Sequence, residues 1–335
     1  MSQPVYERGP IAAEHFAEEV AAGYRPVVLR GQAAEWLAVA AARRSDVALV
    51  DYIAALDSKR PTELLVGPPE IGGRYFYDAG LKGCNFQKRS TTVTGLLNQL
   101  LRQRDQGKPA ALYAGAAATG AVLPGWSDAN PIGFDLPTAK ARVWIGNESH
   151  VATHFDESSN LMVVVAGRRR VTLFPPEQVD NLYLGPLHLT IAGPPVSMVD
   201  VAKPDLARYP HFAEALRHAF YVDLEPGDAL YIPPIWWHAV HAQGSVNVMV
   251  NYWWAEPGSL SALAAMIATL RAVRDLPPAH RQAWRHWFER MVFDDDAPSM
   301  ADHLPEHARG YVGPPSPVRD AFLRSIDGVP LGRST

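Results

Sequence analysis

The sequence predicts a mainly β fold with surrounding helices: an antiparallel barrel or jelly roll followed by a C-terminal helical pair. Three observations carry this. From residue 142 onward, short apolar runs recur, each closed by a turn signal such as Gly167, Pro175-Pro176 or Glu225-Pro226-Gly227-Asp228. Prolines number 29 and fall largely in connections, which suits many short strands joined by turns. After Pro257 the apolar spacing becomes helical, with Leu263, Met266, Ile267 and Leu270, then Trp284, Trp287, Phe288 and Met291, recurring three and four apart.

Taken in order, residues 11–23 predict a helix, with Ile11, Phe16, Val20 and Ala21 on one face. Residues 25–29 (Arg-Pro-Val-Val-Leu) predict a strand ended by Gly31, and 33–43 and 47–56 predict helices. Two strands are expected at 64–66 and 75–77, around Gly67-Pro68-Pro69 and Gly72-Gly73. Residues 92–102 carry Val93, Leu96, Leu97, Leu100 and Leu101 along one side and predict an amphipathic helix. Strands follow at 110–114 and 142–145, and 161–166 and 168–174 predict a hairpin about Gly167. A long connection, 177–220, holds a helical piece at 210–219. Strands at 221–224, 229–233 and 245–253 complete the set, and strands of this number read as a barrel or jelly roll.

Helices at 259–274 and 280–292 follow, then a Pro- and Gly-rich tail from Ala297. Two parts are expected: 1–257 as a β domain with an N-terminal helix-and-strand elaboration, and 258–335 as a helical segment and tail. A helix pair after a closed barrel either caps the barrel or pairs with a second subunit; the second part is apolar beyond the needs of an appendage, which favours a homodimer interface.

Composition narrows the function classes. Formal net charge is −4, which gives no electrostatic footprint for nucleic acid. The single cysteine, Cys84, excludes an internal disulfide and fits a reducing compartment. Residues 1–10 are polar and no apolar run approaches a membrane span, so no membrane association and a cytoplasmic location are expected.

The chemistry lies in Thr153-His154-Phe155-Asp156, read with Trp236-Trp237-His238. On an extended strand, residues two apart share a face with Cα atoms about 6.6–6.8 Å apart. His154 and Asp156 can then converge on one metal ion, and His238 completes the set if its strand lies alongside. Two histidines and one carboxylate on one side of a metal leave positions open opposite, the arrangement of non-haem Fe(II) oxygenases. His241, three residues from His238, faces away and is excluded.

Around that centre, alternation puts Arg169 with Val171 and Leu173 on the face that predicts the interior. A buried cation needs an anionic partner, and a guanidinium grips a carboxylate with a two-pronged hydrogen bond. The opposite register would instead give an exposed basic stripe. Asn251 interrupts an apolar strand, and Asn160 follows the first ligand segment; each is a polar liner of the site or a satisfied structural amide. Tyr113 reads as a core residue on its own strand, and Trp236 and Trp237 as packing at the barrel rim.

These stretches carry a family resemblance. His154-Phe-Asp-Glu-Ser-Ser-Asn160, Gly167-Arg-Arg-Arg-Val-Thr-Leu-Phe-Pro-Pro176, Pro226-Gly-Asp-Ala-Leu-Tyr-Ile-Pro-Pro-Ile-Trp-Trp-His238 and Val250-Asn-Tyr-Trp253 resemble the cupin-like JmjC family. The pattern is that of the branch resembling the hypoxia-inducible-factor asparaginyl hydroxylase, and Val199-Asp200 and Arg208-Tyr-Pro-His-Phe212 match as well.

The resemblance implies a double-stranded β-helix, Fe(II) and 2-oxoglutarate. It implies His154, Asp156 and His238 as iron ligands, Arg169, Tyr113, Asn160 and Asn251 around 2-oxoglutarate, and Trp253 on the pocket wall. The branch usually has lysine at the position of Arg169 and threonine at that of Val151, and Gly115 and Pro195-Val196 stand where it clamps an asparagine substrate. The expected activity is that of a 2-oxoglutarate-dependent dioxygenase, using O2 to hydroxylate a protein or peptide side chain. The alternatives are hydroxylation of a small molecule, such as an amino acid or natural product, and a non-catalytic metal-binding cupin.

Overall fold

The structure, a computed structural model, describes residues 3–136, 138–191, 193–255 and 261–325. Thirteen strands are described: β1 (Gln3–Pro4), β2 (Tyr6–Arg8), β3 (Val27–Leu29), β4 (Thr62–Gly67), β5 (Arg74–Tyr75), β6 (Gln87–Thr91), β7 (Ala111–Ala118), β8 (Lys140–Gly146), β9 (Ser149–His154), β10 (Ser159–Phe174), β11 (Phe220–Leu224), β12 (Ala229–Ile232) and β13 (Trp237–Trp254). Helices α1 (Ala13–Glu19), α2 (Leu37–Arg44), α3 (Asp46–Leu56) and α4 (Val93–Gln103) precede the barrel strands. Three short helices lie among the connections: α5 (Thr119–Val122), α6 (Trp126–Ala129) and α7 (Phe212–Arg217). Then come α8 (Ala262–Val273), α9 (Pro278–Phe288) and α10 (Pro317–Ser325).

The barrel is a jelly roll whose two layers share two long strands. The first part of β10 pairs with β12 and its second part with β11, while β13 runs antiparallel to β10 throughout. β13 pairs with β9 in its first part and with β8 in its second. One layer therefore runs β2-β3-β12-β10-β13-β8-β7-β4-β6, and the other β1-β11-β10-β13-β9-β5. Alternation then sorts side chains into two cores. Met162, Val164, Val171, Leu173, Val240 and Met249 fill the space between the layers. Leu161, Val163, Val165, Val248 and Val250 face outward from the larger layer and are covered by Phe16, Leu49, Ile53, Leu96, Leu97 and Leu100 from α1, α3 and α4.

The covering helices are set by local chemistry. Thr92 caps α4 by accepting from Gly95 N, and Ser45 caps α3 by accepting from Ala48 N. Asp57, its side chain buried, accepts from both the amide and the hydroxyl of Thr94 and so pins the start of α4 to the end of α3.

Several expectations need correction. No hairpin forms at Gly167: β10 is one continuous strand of 16 residues. A chain reversal between strands needs about two loop residues, and a single glycine supplies a bulge instead. The register shifts on both sides of Ala166, and Gly167 sits at φ 74° with no room for a side chain, since a Cβ there would overlap Asn247 Oδ1. The helix expected over 11–23 stops at Glu19 and continues as one 3-10 turn (Ala21–Gly23), because Tyr24 takes left-handed φ. The helix expected from residue 33 starts at Leu37. Strands β1, β2 and β6 had no prediction of their own, and β9 was expected only as the extended stretch that carries His154 and Asp156.

The described residues up to 255 and those from 261 onward form two compact units. The expected boundary at 257/258 and the expected helix start at 259 lie outside the described residues. In the second unit, α8 and α9 bury no residue. No described helix is long and apolar enough to cross a membrane.

Candidate metal centre

His154 closes β9 and His238 lies at the start of β13, directly opposite it in the ladder. The inner face of this layer is fixed by register: Val171 opposes Val240, and Leu173 opposes His238. Residues directly opposite share a face, so His238 points between the layers. On β9, Val151 opposes Val240 and therefore also points inward. Unbroken alternation would then turn His154 outward. A register shift between His238 and Val240 prevents this: β9 spends one more residue than β13 over the same span, and both Val151 and His154 face in.

Asp156 follows two residues later, past the end of β9 rather than on it as the i, i+2 argument supposed. Its carbonyl accepts from Ile235 N at 2.8 Å, tying its loop to the one that leads into His238.

The three side chains converge: one ligand atom from each of His154, Asp156 and His238 lies within 4.8 Å of the others. Asp156 Oδ2 is 3.7 Å from His238 Nε2, and the two imidazole centroids are 4.3 Å apart. His154 Nδ1 lies 2.9 Å from the Ala152 carbonyl and His238 Nδ1 3.1 Å from that of Trp236. A carbonyl only accepts, so each Nδ1 carries the proton and each Nε2 keeps a free lone pair. Burial, then the neighbouring His154, push the pKa of His238 down against the pull of Asp156, which keeps that imidazole neutral.

Amide side chains hold the carboxylate. Asn160 Nδ2 donates to Asp156 Oδ2 at 3.2 Å. Asn251 Nδ2 donates to Asn160 Oδ1 at 3.2 Å, and Trp144 Nε1 donates to Asn251 Oδ1 at 2.5 Å. Both asparagines are buried, and their bonds lead into the site.

Arg169 lies on the same inner face, 3% exposed. Its Nε has no hydrogen-bond partner, and among the described residues no carboxylate pairs with it. Burial pushes its pKa down to about 10, with the nearby Tyr113 opposing the shift. Tyr113 stacks obliquely on Tyr75, ring centroids 5.5 Å apart. The Tyr75 hydroxyl is also buried without a partner, and burial raises both phenols. Tyr75 was missed: a two-residue strand offers no local signal of where its hydroxyl ends up. A buried guanidinium with an unpartnered Nε and an orphaned hydroxyl, on the inner side that also carries the two-histidine, one-carboxylate cluster, form an interior suited to a divalent metal and an anion with hydrogen-bond acceptors.

Trp253 walls a cleft that opens onto Asp156 and is lined also by Lys140, Arg142, Ser158, Pro194 and Trp254. Trp253 packs edge-on against Trp144, 5.7 Å between centroids. Its rim residues Thr138, Lys140 and Ala255 are exposed, so the cleft faces solvent. Cys84 is a free, partly buried thiol whose pKa burial raises, which lowers its nucleophilicity.

Comparison with known proteins gives one family: the profile of the cupin-like domain matches residues 12–259. The chain is 39% identical over 134 residues to HSPB1-associated protein 1 of Homo sapiens, covering 38% of this chain and 26% of that protein. It is 35% identical over 112 residues to lysine-specific demethylase JMJ31 of Arabidopsis thaliana (33% and 20%). It is 34% identical over 146 residues to tRNA wybutosine-synthesizing protein 5 of Danio rerio (38% and 42%). Each match spans less than half of the relative's own length.

Proposed function

The chain belongs to the cupin-like domain family, and from that premise we propose that it is an Fe(II)- and 2-oxoglutarate-dependent oxygenase that hydroxylates a protein or peptide side chain. The observation that carries this reading is the unpaired, desolvated Arg169 on the same inner face as the His154–Asp156–His238 cluster. A buried cation without a counter-ion is costly, and a carboxylate of the cosubstrate removes that cost.

Fe(II) with 2-oxoglutarate, when bound, supplies the O2-dependent oxidation of an unactivated C–H bond, releasing succinate and CO2. The protein's part is binding and orientation. His154 and His238 offer Nε2 lone pairs and Asp156 a carboxylate oxygen. Asn160 and Asn251 hold that carboxylate in position, and Arg169 would take a carboxylate of the cosubstrate, with Tyr113 and Tyr75 as neighbouring hydroxyl donors. Trp253 and the solvent-facing cleft beside Asp156 present the substrate. The named relatives include a lysine-specific demethylase and a tRNA-modifying protein. A cleft open to solvent supports a polypeptide over an enclosed metabolite. We also propose that the C-terminal unit is a homodimer surface, since Trp284, Trp287, Val292 and Phe293 are exposed by 47%, 57%, 62% and 70%.

The test is production of succinate by the iron-loaded protein against separate peptide and metabolite pools, with His154→Ala as control. Peptide-dependent turnover that is lost in the variant supports the reading. Turnover stimulated only by metabolites moves the substrate to the small-molecule class. No 2-oxoglutarate consumption with either pool, and no binding, leaves a non-catalytic cupin.

A further inference from the structure

We propose that Glu148, His150 and His241 form a second metal-ion site, on the outer face of the barrel, suited to a late first-row divalent ion such as zinc. It rests on none of the chemistry assigned to the inner centre. His150 and His241 are directly opposite each other on β9 and β13. His241 opposes Arg170 across the other ladder, and Arg170 and Thr172 alternate with the inward Arg169, Val171 and Leu173, so His241 and His150 point outward.

The two imidazole rings lie almost parallel, 3.9 Å between centroids and 19° between planes. Both put Nε2 beside one carboxylate: Glu148 Oε1 is 3.1 Å from His241 Nε2 and 3.8 Å from His150 Nε2. Two ligands about 2.0–2.1 Å from a tetrahedral ion lie about 3.4 Å apart, so the donor atoms stand near ligand spacing, and the stacked rings need only turn about their side-chain bonds to aim their in-plane lone pairs at one ion. An ion there replaces the hydrogen bond between His241 and Glu148. Two imidazoles and one carboxylate match the donor preference of zinc, and three protein ligands leave a fourth position for water.

The backbone beneath is fixed before any ion arrives. β9 is flanked by β5 and β13, and His150 N donates to Gly73 O at 2.9 Å. Gly73 lets β5 come this close, because a Cβ there would overlap the Glu148 carbonyl oxygen. The nearest cations are already engaged: Arg74 Nε is 3.4 Å from Asp200, and Arg170 makes a two-pronged bond to Asp223 at 2.8 and 2.9 Å. Asp200, Arg74, His150 and His241 line one cavity, and both histidines are partly exposed, which gives the ion a path from solvent.

The experiment titrates the metal-free full-length chain with zinc chloride by calorimetry and counts bound zinc by elemental analysis after gel filtration. His241→Gln, a change on a partly exposed side chain, is expected to lose one zinc equivalent per chain relative to wild type. Glu148→Gln is expected to weaken that same equivalent at least tenfold. His154→Ala should leave the outer equivalent in place. Equal zinc counts in wild type and His241→Gln overturn the site, and this comparison decides the matter even if His154→Ala does not fold.

Discussion

Asn160 donates to Asp156 Oδ2 at 3.2 Å while its own oxygen accepts from Asn251 at the same distance, so two buried amides stand behind the carboxylate of the candidate centre. Partners of this kind orient a ligand and typically contribute 10–100-fold in metal affinity. Asn251→Ala also strands Trp144 Nε1 and Asn160 Oδ1 without partners. The variant is expected to lose about 1–3 kcal/mol of stability and at least tenfold in Fe(II) or Mn(II) affinity. Urea unfolding and metal titration measure the two effects separately, and an unchanged metal affinity would detach the asparagines from the site.

Arg169 should behave as a residue retained at the expense of stability. Replacing a lone buried charge with an apolar chain of similar length is neutral or stabilising. Arg169→Met is therefore expected to hold or raise the melting temperature while abolishing the stabilisation that 2-oxoglutarate gives the wild type. Arg169→Lys should restore part of that ligand-dependent shift. A loss of several kcal/mol in the methionine variant would reveal an anionic partner within the fold.

Gly167 is the point at which β10 passes from one layer to the other. Its φ of 74° and the close approach of the Asn247 side chain leave no space for the methyl group of alanine. Gly167→Ala is expected to cost about 1–3 kcal/mol from backbone strain alone, with the clash in addition. Thermal unfolding of Gly167→Ala in the wild type and in an Asn247→Gly background separates the two contributions: Gly167→Ala should cost less in the second, by the share of the clash due to the Asn247 side chain, while Asn247→Gly alone accounts for the lost bond to the Gly244 carbonyl.

Asp57 gives the fold an acid limit. Burial raises its pKa, but the hydrogen bonds from the Thr94 hydroxyl and amide and from Lys59 N, with the Lys59 charge, outweigh that and hold it below the usual carboxylate value. A depressed folded pKa adds stability that is present above the unfolded value of about 3.9 and is lost as pH falls through the folded one. Asp57→Asn should lower stability at pH 7 and flatten its dependence on pH below about 4. Parallel slopes for the two proteins between pH 2 and 5 would show that Asp57 is not the responsible group.

Much of the architecture was legible because it rests on local periodicity. The alternation of Arg169, Val171 and Leu173 placed a cation inside the barrel, and the structure agrees at each position. The amphipathic spacing of Val93, Leu96, Leu97 and Leu100 gave α4 to within one residue at each end. What escaped depends on the partner strand. Gly167 looks the same in sequence whether it makes a turn or a bulge, and only the continuous β10–β13 ladder decides. Tyr75 enters the site through the docking of β5 on β9, a contact far from any local pattern. The outward pair His150 and His241 could not be matched without the register that sets them opposite each other.

That register has a further consequence. A bulge that absorbs one surplus amino acid in β9 keeps two histidine pairs on opposite sides of a wall a single backbone thick. Removing one codon between Val151 and His154 would make the two strands equal over this span and set His154 two places from the inward Val151, so the imidazole would still face the interior and the ladder would run straight through the inner centre.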